Sequence, residues 1–336
     1  MNWVALGAIA EIAGAGGSIA IASVAVYVGI RQWVDGKRIS REQRELTQQI
    51  ENNNSTSKLE QERIIRAQSL DSYFDGISTL LLRDEDGIFT DTARALTKGR
   101  TDAILKILKA DEKRNLVAFL YGSGLISRNE TDEPPMVALA GSDLSQVELT
   151  GVSLQHAGFG LANLRGAAIK EADLDGVDLR GADLSESDLT GSDLGHANLH
   201  GAILSAAVLS EVDLSNADLS GADLRGTVLG GADLTSANLS GANLHGADLS
   251  GAKFSNANLN GANLREANLT RSNLNETQLI NLISIEGADF TEVFSLNSES
   301  AQYLASIASG AHPATSRQTA QSLKSIPTSD TAEKPA

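Results

Sequence analysis

ADLSGADLRG, residues 217–226, carries the pattern that decides the fold. Leu219 and Leu224 stand five apart, each with Ala two positions before it and Asp one before it. The interval runs on in both directions without a break. From Leu139 to Leu279 an apolar residue occupies every fifth position, through Leu144, Leu149, Leu154, Phe159, Leu164, Ile169 and Leu174 and on to Phe254 and Leu274, making 29 units. The commonest unit reads Ala, then Asp or Asn, then Leu, then two variable positions. A period of five matches neither a helix, at about 3.6, nor a strand, at about 2. A fixed repeat of this length predicts a solenoid, in which each unit buries its apolar residue against its neighbours.

This stretch resembles the pentapeptide-repeat family, and the resemblance covers nearly half the chain. It implies a mainly β architecture, a right-handed quadrilateral β-helix with four pentapeptides per turn. In that fold the centre residue and the small residue two before it point inward, and the other three positions face water. About seven coils are expected, and at about 4.8 Å per stacked strand the rod is on the order of 34 Å long. The family implies no reaction, because such rods host several unrelated roles.

Charge sets further bounds. The net charge is −16, and residues 139–290, with 20 Asp/Glu against 7 Lys/Arg, carry −13 of it. A rod so acidic is not expected to bind nucleic acid directly. There is no Cys, which excludes disulfides and thiolate chemistry.

Residues 12–30, IAGAGGSIAIASVAVYVGI, carry no charge. As a helix of about 1.5 Å rise per residue they approach the thickness of a bilayer core. Trp3 precedes the segment, and Tyr27 and Trp33 lie at its far end, as interface anchors do. Arg31, Lys37, Arg38, Arg41 and Arg44 follow it, Glu11 sits just outside it, and no Lys or Arg precedes it. The segment is expected to be a single-pass anchor in an inner or thylakoid membrane, with the amino terminus outside and the rod in the cytoplasm. A cleaved signal peptide wants a basic start, which Met1-Asn2-Trp3 lacks. A buried soluble helix is the other alternative. Ala10, Gly14 and Ser18, four apart, suit helix pairing.

The remaining organisation reads as follows: anchor 1–31, juxtamembrane helix 32–68 broken at Asn52–Ser57, helical module 69–128, linker 129–136 with Pro134-Pro135, repeat rod 137–295, capping helix 296–310 and disordered tail 311–336. In the module Leu70, Tyr73, Phe74, Ile77, Leu80 and Leu81 recur at three and four, and Thr101-Asp102 suggests a helix cap. This region resembles the helical module before the repeats in some cyanobacterial and actinobacterial membrane pentapeptide proteins. Arg83, Asp84, Glu85 and Asp86 read as a solvated face. Leu279 and Phe290 are 11 apart, one more than two units, so the register slips there. A helix over Ser298–Ser309 would then cover the open end of the rod.

No catalytic constellation, cofactor loop or metal cluster is evident. The glycines fall at turn positions in phase with the repeat. His156 and His196 fall in one outward column two coils apart, roughly 10 Å, too far to share a metal. His196 and His200 fall on different faces. Two surface features rise above the pattern. Asp173, Asp193, Asp213 and Asp233 are each 20 residues apart and should stack as an acidic ladder. Local bonding to the backbone explains Asp at this position, and a phosphate-like charge row or weak cation site is the sharper alternative. Ile203, Val208 and Val228 replace the outward Asp or Asn, so an apolar cluster interrupts a polar rod.

The reading is a non-enzymatic, membrane-anchored scaffold without cofactor, presenting the rod to an unidentified protein partner through Ile203, Val208 and Val228. The bilayer is expected as a second partner through residues 12–30, and a homo-oligomer is left open. The alternative is a DNA mimic that binds a type II topoisomerase such as gyrase.

Overall fold

The computed structural model describes residues 58–82, 90–126, 135 and 137–324. They fall into two compact units divided between Leu139 and Ala140. The expected anchor at 12–30, most of the juxtamembrane segment, the charged run 83–86 and the tail beyond 324 lie outside the described residues. Among the described residues no helix is long and apolar enough to cross a membrane.

The first unit holds three helices, α1 (Lys58–Leu82), α2 (Asp91–Leu105) and α3 (Ala110–Gly122). α1 runs through the boundary expected at residue 68, with Arg66 buried and paired to Glu112 of α3 at 3.0 Å. Tyr73, Phe74 and Ile77 form its buried stripe, and Phe74 meets Phe119 edge-on at 5.2 Å. The cap expected at Thr101-Asp102 is not one. Thr90 caps α2 by accepting Ala93 N–H, whereas Thr101 is buried inside the helix. Its hydroxyl donates to Thr97 O and meets Tyr73 Oη at 3.1 Å, a mid-helix alternative to capping. Burial pushes the Tyr73 phenol up to about 12, against a smaller opposite effect of the Thr101 bond.

The second unit is the β-helix. Parallel β-bridges join residue i to i+20, or to i+21 into the last coil, in four columns five residues apart, so each coil has four faces. Face 1 runs from Asp143, face 2 from Glu148, face 3 from Ser153 and face 4 from Gly158. Faces 1 to 3 end at Ser284, Asp289 and Phe294, and face 4 at Gln278. Centres and small residues are buried almost throughout the rod, Val152 being half-buried, and the remaining positions are mostly half-buried or exposed, with Ser185, Gly195 and Asp289 buried. Phe159 and Phe254 take centre positions within the same interior. A void of about 10 Å³ between Leu149 and Leu184 has only apolar walls and is too poor in partners to hold a water.

Extended strands, implied by a mainly β description, are absent among the described residues. Each face offers one bridge residue between two-residue corners, so five residues leave no length for a strand. The corner needs a positive φ at its second residue. Gly221 supplies it at 66°, and Glu211, at 58°, takes the same strained conformation with a side chain.

The register slip is a β-bulge. In regular coils one residue both donates to the coil before and accepts from it, as Asn263 N–H does to Ala242 O and Asn263 O does from Leu244 N–H. In the last coil these roles are split: Ile283 N–H donates to Ala262 O, while Ser284 O accepts from Leu264 N–H. Two residues therefore oppose Asn263, and Ile283 is turned outward at 69% exposure.

Beyond the bulge the chain covers its own edge. α4 (Ser298–Ile307) is capped by Asn297 and places Tyr303 Oη to accept Leu282 N–H at 3.0 Å. Residues 311–324, expected to be disordered, are folded. Ala311 bridges Gln318 in an antiparallel turn, and α5 (Thr319–Leu323) follows. The reason is the exposed ladder of the last coil. Gly287 N–H donates to Ser309 O at 2.8 Å and Phe290 N–H to Ser322 Oγ at 3.1 Å, where inner units donate to the next coil.

Two outcomes test this account. Gly221→Ala should destabilise the rod by about 1 kcal/mol in chemical denaturation, although no atom lies within 4 Å of the added methyl. Asp289→Ala removes the acceptor of Thr315 Oγ1 at 2.7 Å. It should cost about 1–3 kcal/mol and make residues 311–324 sensitive to limited proteolysis.

Candidate functional site

The outward residue before each centre has a structural task that precedes any function. In the unit Ala217–Gly221 all five N–H groups are accounted for. Ala217 N–H closes a turn on Leu214 O, Asp218 N–H donates to Ala197 O, and Leu219 and Gly221 N–H donate to Asn238 and Ser240 O. The fifth, Ser220 N–H, has no backbone acceptor and donates to Asp218 Oδ1 at 3.0 Å. The same bond recurs from Ser145 to Asp143 through Thr291 to Asp289. At several units where the outward residue is Asn, its amide also donates one coil back, as Asn238 Nδ2 does to Asp218 Oδ1 at 3.0 Å. Asp and Asn are therefore written into the repeat by its backbone.

The acidic ladder is stacked on face 3: Asp173 bridges Asp193, Asp193 bridges Asp213 and Asp213 bridges Asp233. Each gives one oxygen to the following N–H, at 3.5, 2.9, 2.8 and 3.0 Å in order. Its ends are tied: Gln155 Nε2 donates to Asp173 at 2.9 Å, and Lys253 Nζ to Asp233 at 3.0 Å. Burial raises the Asp233 pKa, but bonds from Thr235 and Lys253 outweigh it and hold the carboxyl below its usual range. Among the described residues no group of three or more His, Asp or Glu is arranged to hold a metal. The histidines have local roles, His200 Nδ1 meeting Ser220 Oγ at 2.9 Å and His245 Nδ1 meeting Arg265 O at 3.0 Å.

The apolar trio is brought together as its spacing requires. Val208 bridges Val228 on face 2, between Asp188 and Asp248, while Ile203 lies on adjacent face 1 between Asp183 and Asp223. Ile203 is 41% exposed and Val228 37%, with Val208 half-buried between them. At these three positions no side chain accepts the fifth N–H, so the substitution gives up a repeated backbone bond.

Every basic residue of the repeat is held by a carboxylate. Arg165 pairs with Glu186, Lys170 with Asp188, Arg180 with Asp178, Arg225 with Asp223, Lys253 with Asp233, Arg265 with Glu286 and Arg271 with Glu292. The acidic excess is what remains on the surface. At the carboxyl-terminal end a polar recess of about 560 Å³ is lined by Asp289, Thr291, Glu292, Thr315, Arg271 and Arg317. Its arginines are engaged, Arg317 with Thr291 Oγ1 at 2.9 Å, so it belongs to the tail lock. The sequence reading missed Ile280 and Ile283, both exposed beside the bulge. The 11-residue interval was the available signal.

The repeats also match the pentapeptide-repeat family model in eight copies, over segments spanning residues 182–293. The chain belongs to the pentapeptide-repeat family. No curated protein sequence matches it. Among solved structures, a pentapeptide repeat protein from the thylakoid lumen of Arabidopsis thaliana is 34% identical, over 43% of this chain and 89% of that one, with a TM-score of 0.34. A pentapeptide repeat protein from the cyanobacterium Cyanothece is also 34% identical, over 45% and 89%, at a TM-score of 0.19. QnrB1, a plasmid-mediated fluoroquinolone resistance protein, is 19% identical over 46% and 81%, at 0.35. The location expected from residues 12–30 is corrected. Among the described residues no helix is suited to cross a membrane, and a relative 34% identical comes from the thylakoid lumen. A single-pass protein with a cytoplasmic rod, and the bilayer as its partner, are withdrawn.

The carboxylates of the fifth-N–H bonds carry a pH dependence. Asp188, Asp218, Asp223, Asp233 and Asp289 all sit below their usual range. A depressed folded pKa stabilises fully above the unfolded value of about 3.9 and is lost as pH falls through the folded values. The melting temperature, followed by circular dichroism, should be flat from neutral pH to about 5 and fall below about 4.

Proposed function

We propose that the rod is a non-enzymatic scaffold that docks a protein partner on faces 1 and 2, over Ile203, Val208 and Val228. The observation that carries this is the loss of the outward Asp or Asn at three adjoining positions. Elsewhere on these two faces that residue is mostly polar and serves the backbone. Three stacked or adjoining aliphatics give up that service and expose apolar surface. The rim selects the partner's charge. Asp183 and Asp248 flank the trio with no Lys or Arg paired to them, and the basic residues of the repeat are neutralised. A basic partner with an apolar centre is steered to this face, and an acidic second copy or nucleic acid is repelled.

The double substitution Val208→Asp and Val228→Asp restores the consensus. Face 3 already stacks four aspartates, so the fold has room for the resulting row from Asp188 to Asp248. The variant should melt within a few degrees of the parent and lose a partner that the parent captures by cross-linking from native extract. Equal capture by the folded variant would falsify the patch.

A second reading rests on the face 3 ladder. A row of aspartates on an acidic rod suits a DNA mimic that binds a type II topoisomerase. Inhibition or protection of gyrase in a supercoiling assay, lost when Asp193 and Asp213 become Asn, would favour it. Unchanged supercoiling at a large excess of protein removes it.

A further inference from the structure

We infer that a notch between α1 and α2 in the helical unit seats an amphipathic helix of a partner protein, whose carboxylate pairs with Arg100. The notch is a recess of about 420 Å³. Ile65, Ser69, Ser72 and Tyr73 border it on α1, and Arg100, Ile104 and Ile107 on the other side. On each side the spacing is three and four residues over two turns, which is the footprint of a helix laid alongside.

Three observations select the occupant. The first is apolar surface. Among the described residues of this unit the exposed large apolar side chains are Ile65, Leu96 and Ile107, at 58, 51 and 42%. Ile65 and Ile107 line the notch, and Leu96 continues the stripe of Arg100, Ala103 and Ile107 at intervals of four, three and four. The unit's uncovered apolar surface is thus gathered at one place. α3 covers a different side of α1, through Phe74 and Phe119.

The second is charge. On α2, Arg94 holds Asp91 and Lys98 holds Asp102. Arg100 holds no carboxylate among the described residues, in a chain of net charge −16. An unengaged cation amid exposed aliphatics fits a helix that offers one carboxylate within an apolar ridge.

The third is Gly76. A Cβ built there would overlap the Arg100 guanidinium at Nη1. Glycine is a poor residue inside a helix, and here it clears the track along which the guanidinium crosses α1. The cation is held at the notch by the shape of the neighbouring helix.

The test uses the full chain and two synthetic helical peptides of roughly 15 residues, long enough to form a helix. Both carry leucines at i, i+4 and i+7, and they differ in a central Glu or Lys. Fluorescence anisotropy should show saturable binding of the Glu peptide. Arg100→Glu should weaken it by about tenfold and transfer the preference to the Lys peptide. Gly76→Ala should weaken the Glu peptide several-fold while the melting temperature holds or rises, because alanine favours α1 and displaces only the guanidinium. The inference is overturned if neither peptide binds saturably, or if Arg100→Glu leaves the preference unchanged. It is also overturned if Arg100→Glu changes the oligomeric mass by light scattering without changing peptide binding, since the notch is then a contact between copies.

Discussion

The rod depends on finding an acceptor for the fifth N–H of most of its pentapeptides. Four of the five are absorbed by geometry, one in the corner turn and three in the ladders to the coils on either side. The fifth points along its own face, where no backbone oxygen waits. A short side chain with an oxygen one or two bonds from Cβ reaches it, which is why Asp and Asn, and at residue 284 the hydroxyl of Ser284, stand one before the centre. The acidity of the rod follows from this local need before any partner is considered.

Seen this way, charge and function separate. Aspartate where the backbone asks for it carries little information about binding, so the face 3 ladder is weaker evidence than its regularity suggests. Information lies where the need is refused. Ile203, Val208 and Val228 leave a fifth N–H without its side-chain acceptor, and they do so on contiguous positions. The conflict between a local rule and three adjoining exceptions is the physical ground for placing a contact surface there.

The sequence made the coil legible because period, burial and stacking are one fact stated three ways. Leu at every fifth position fixes which residues face inward, and a difference of 20 fixes which outward residues are neighbours, including Asp173 to Asp233 and Val208 beside Val228. Even the slip after Leu279 could be counted. What could not be counted is how the chain responds to it. The bulge at Ile283 and Ser284 divides one residue's bonds between two, and nothing periodic announces that. The tail was hidden for a related reason. Its Ser, Thr and Pro content reads as disorder, yet Ser322 accepts Phe290 N–H of the last coil, which no composition reveals. Thr101 misled in the same manner, since a Thr-Asp pair marks a helix start only when its hydroxyl is not already bonded to the carbonyl four residues back.

The two units solve edges and faces in opposite ways. The rod has a directional surface, an open ladder at its last coil, and donates Leu282, Gly287 and Phe290 N–H to the chain that follows, so its carboxyl-terminal edge is partly covered against strand addition. Its sides are then the surfaces left for recognition, and they are flat and graded only by which residue fills the outward position. The helical unit is too small to cover all its apolar residues, and it gathers Ile65, Leu96 and Ile107 around one cation. Hydrogen bonding determines where the rod is finished, and the placement of apolar surface determines where each unit is not. A partner that engages the carboxyl-terminal coil is therefore expected to meet it on side chains, because the N–H groups of Leu282, Gly287 and Phe290 there are taken.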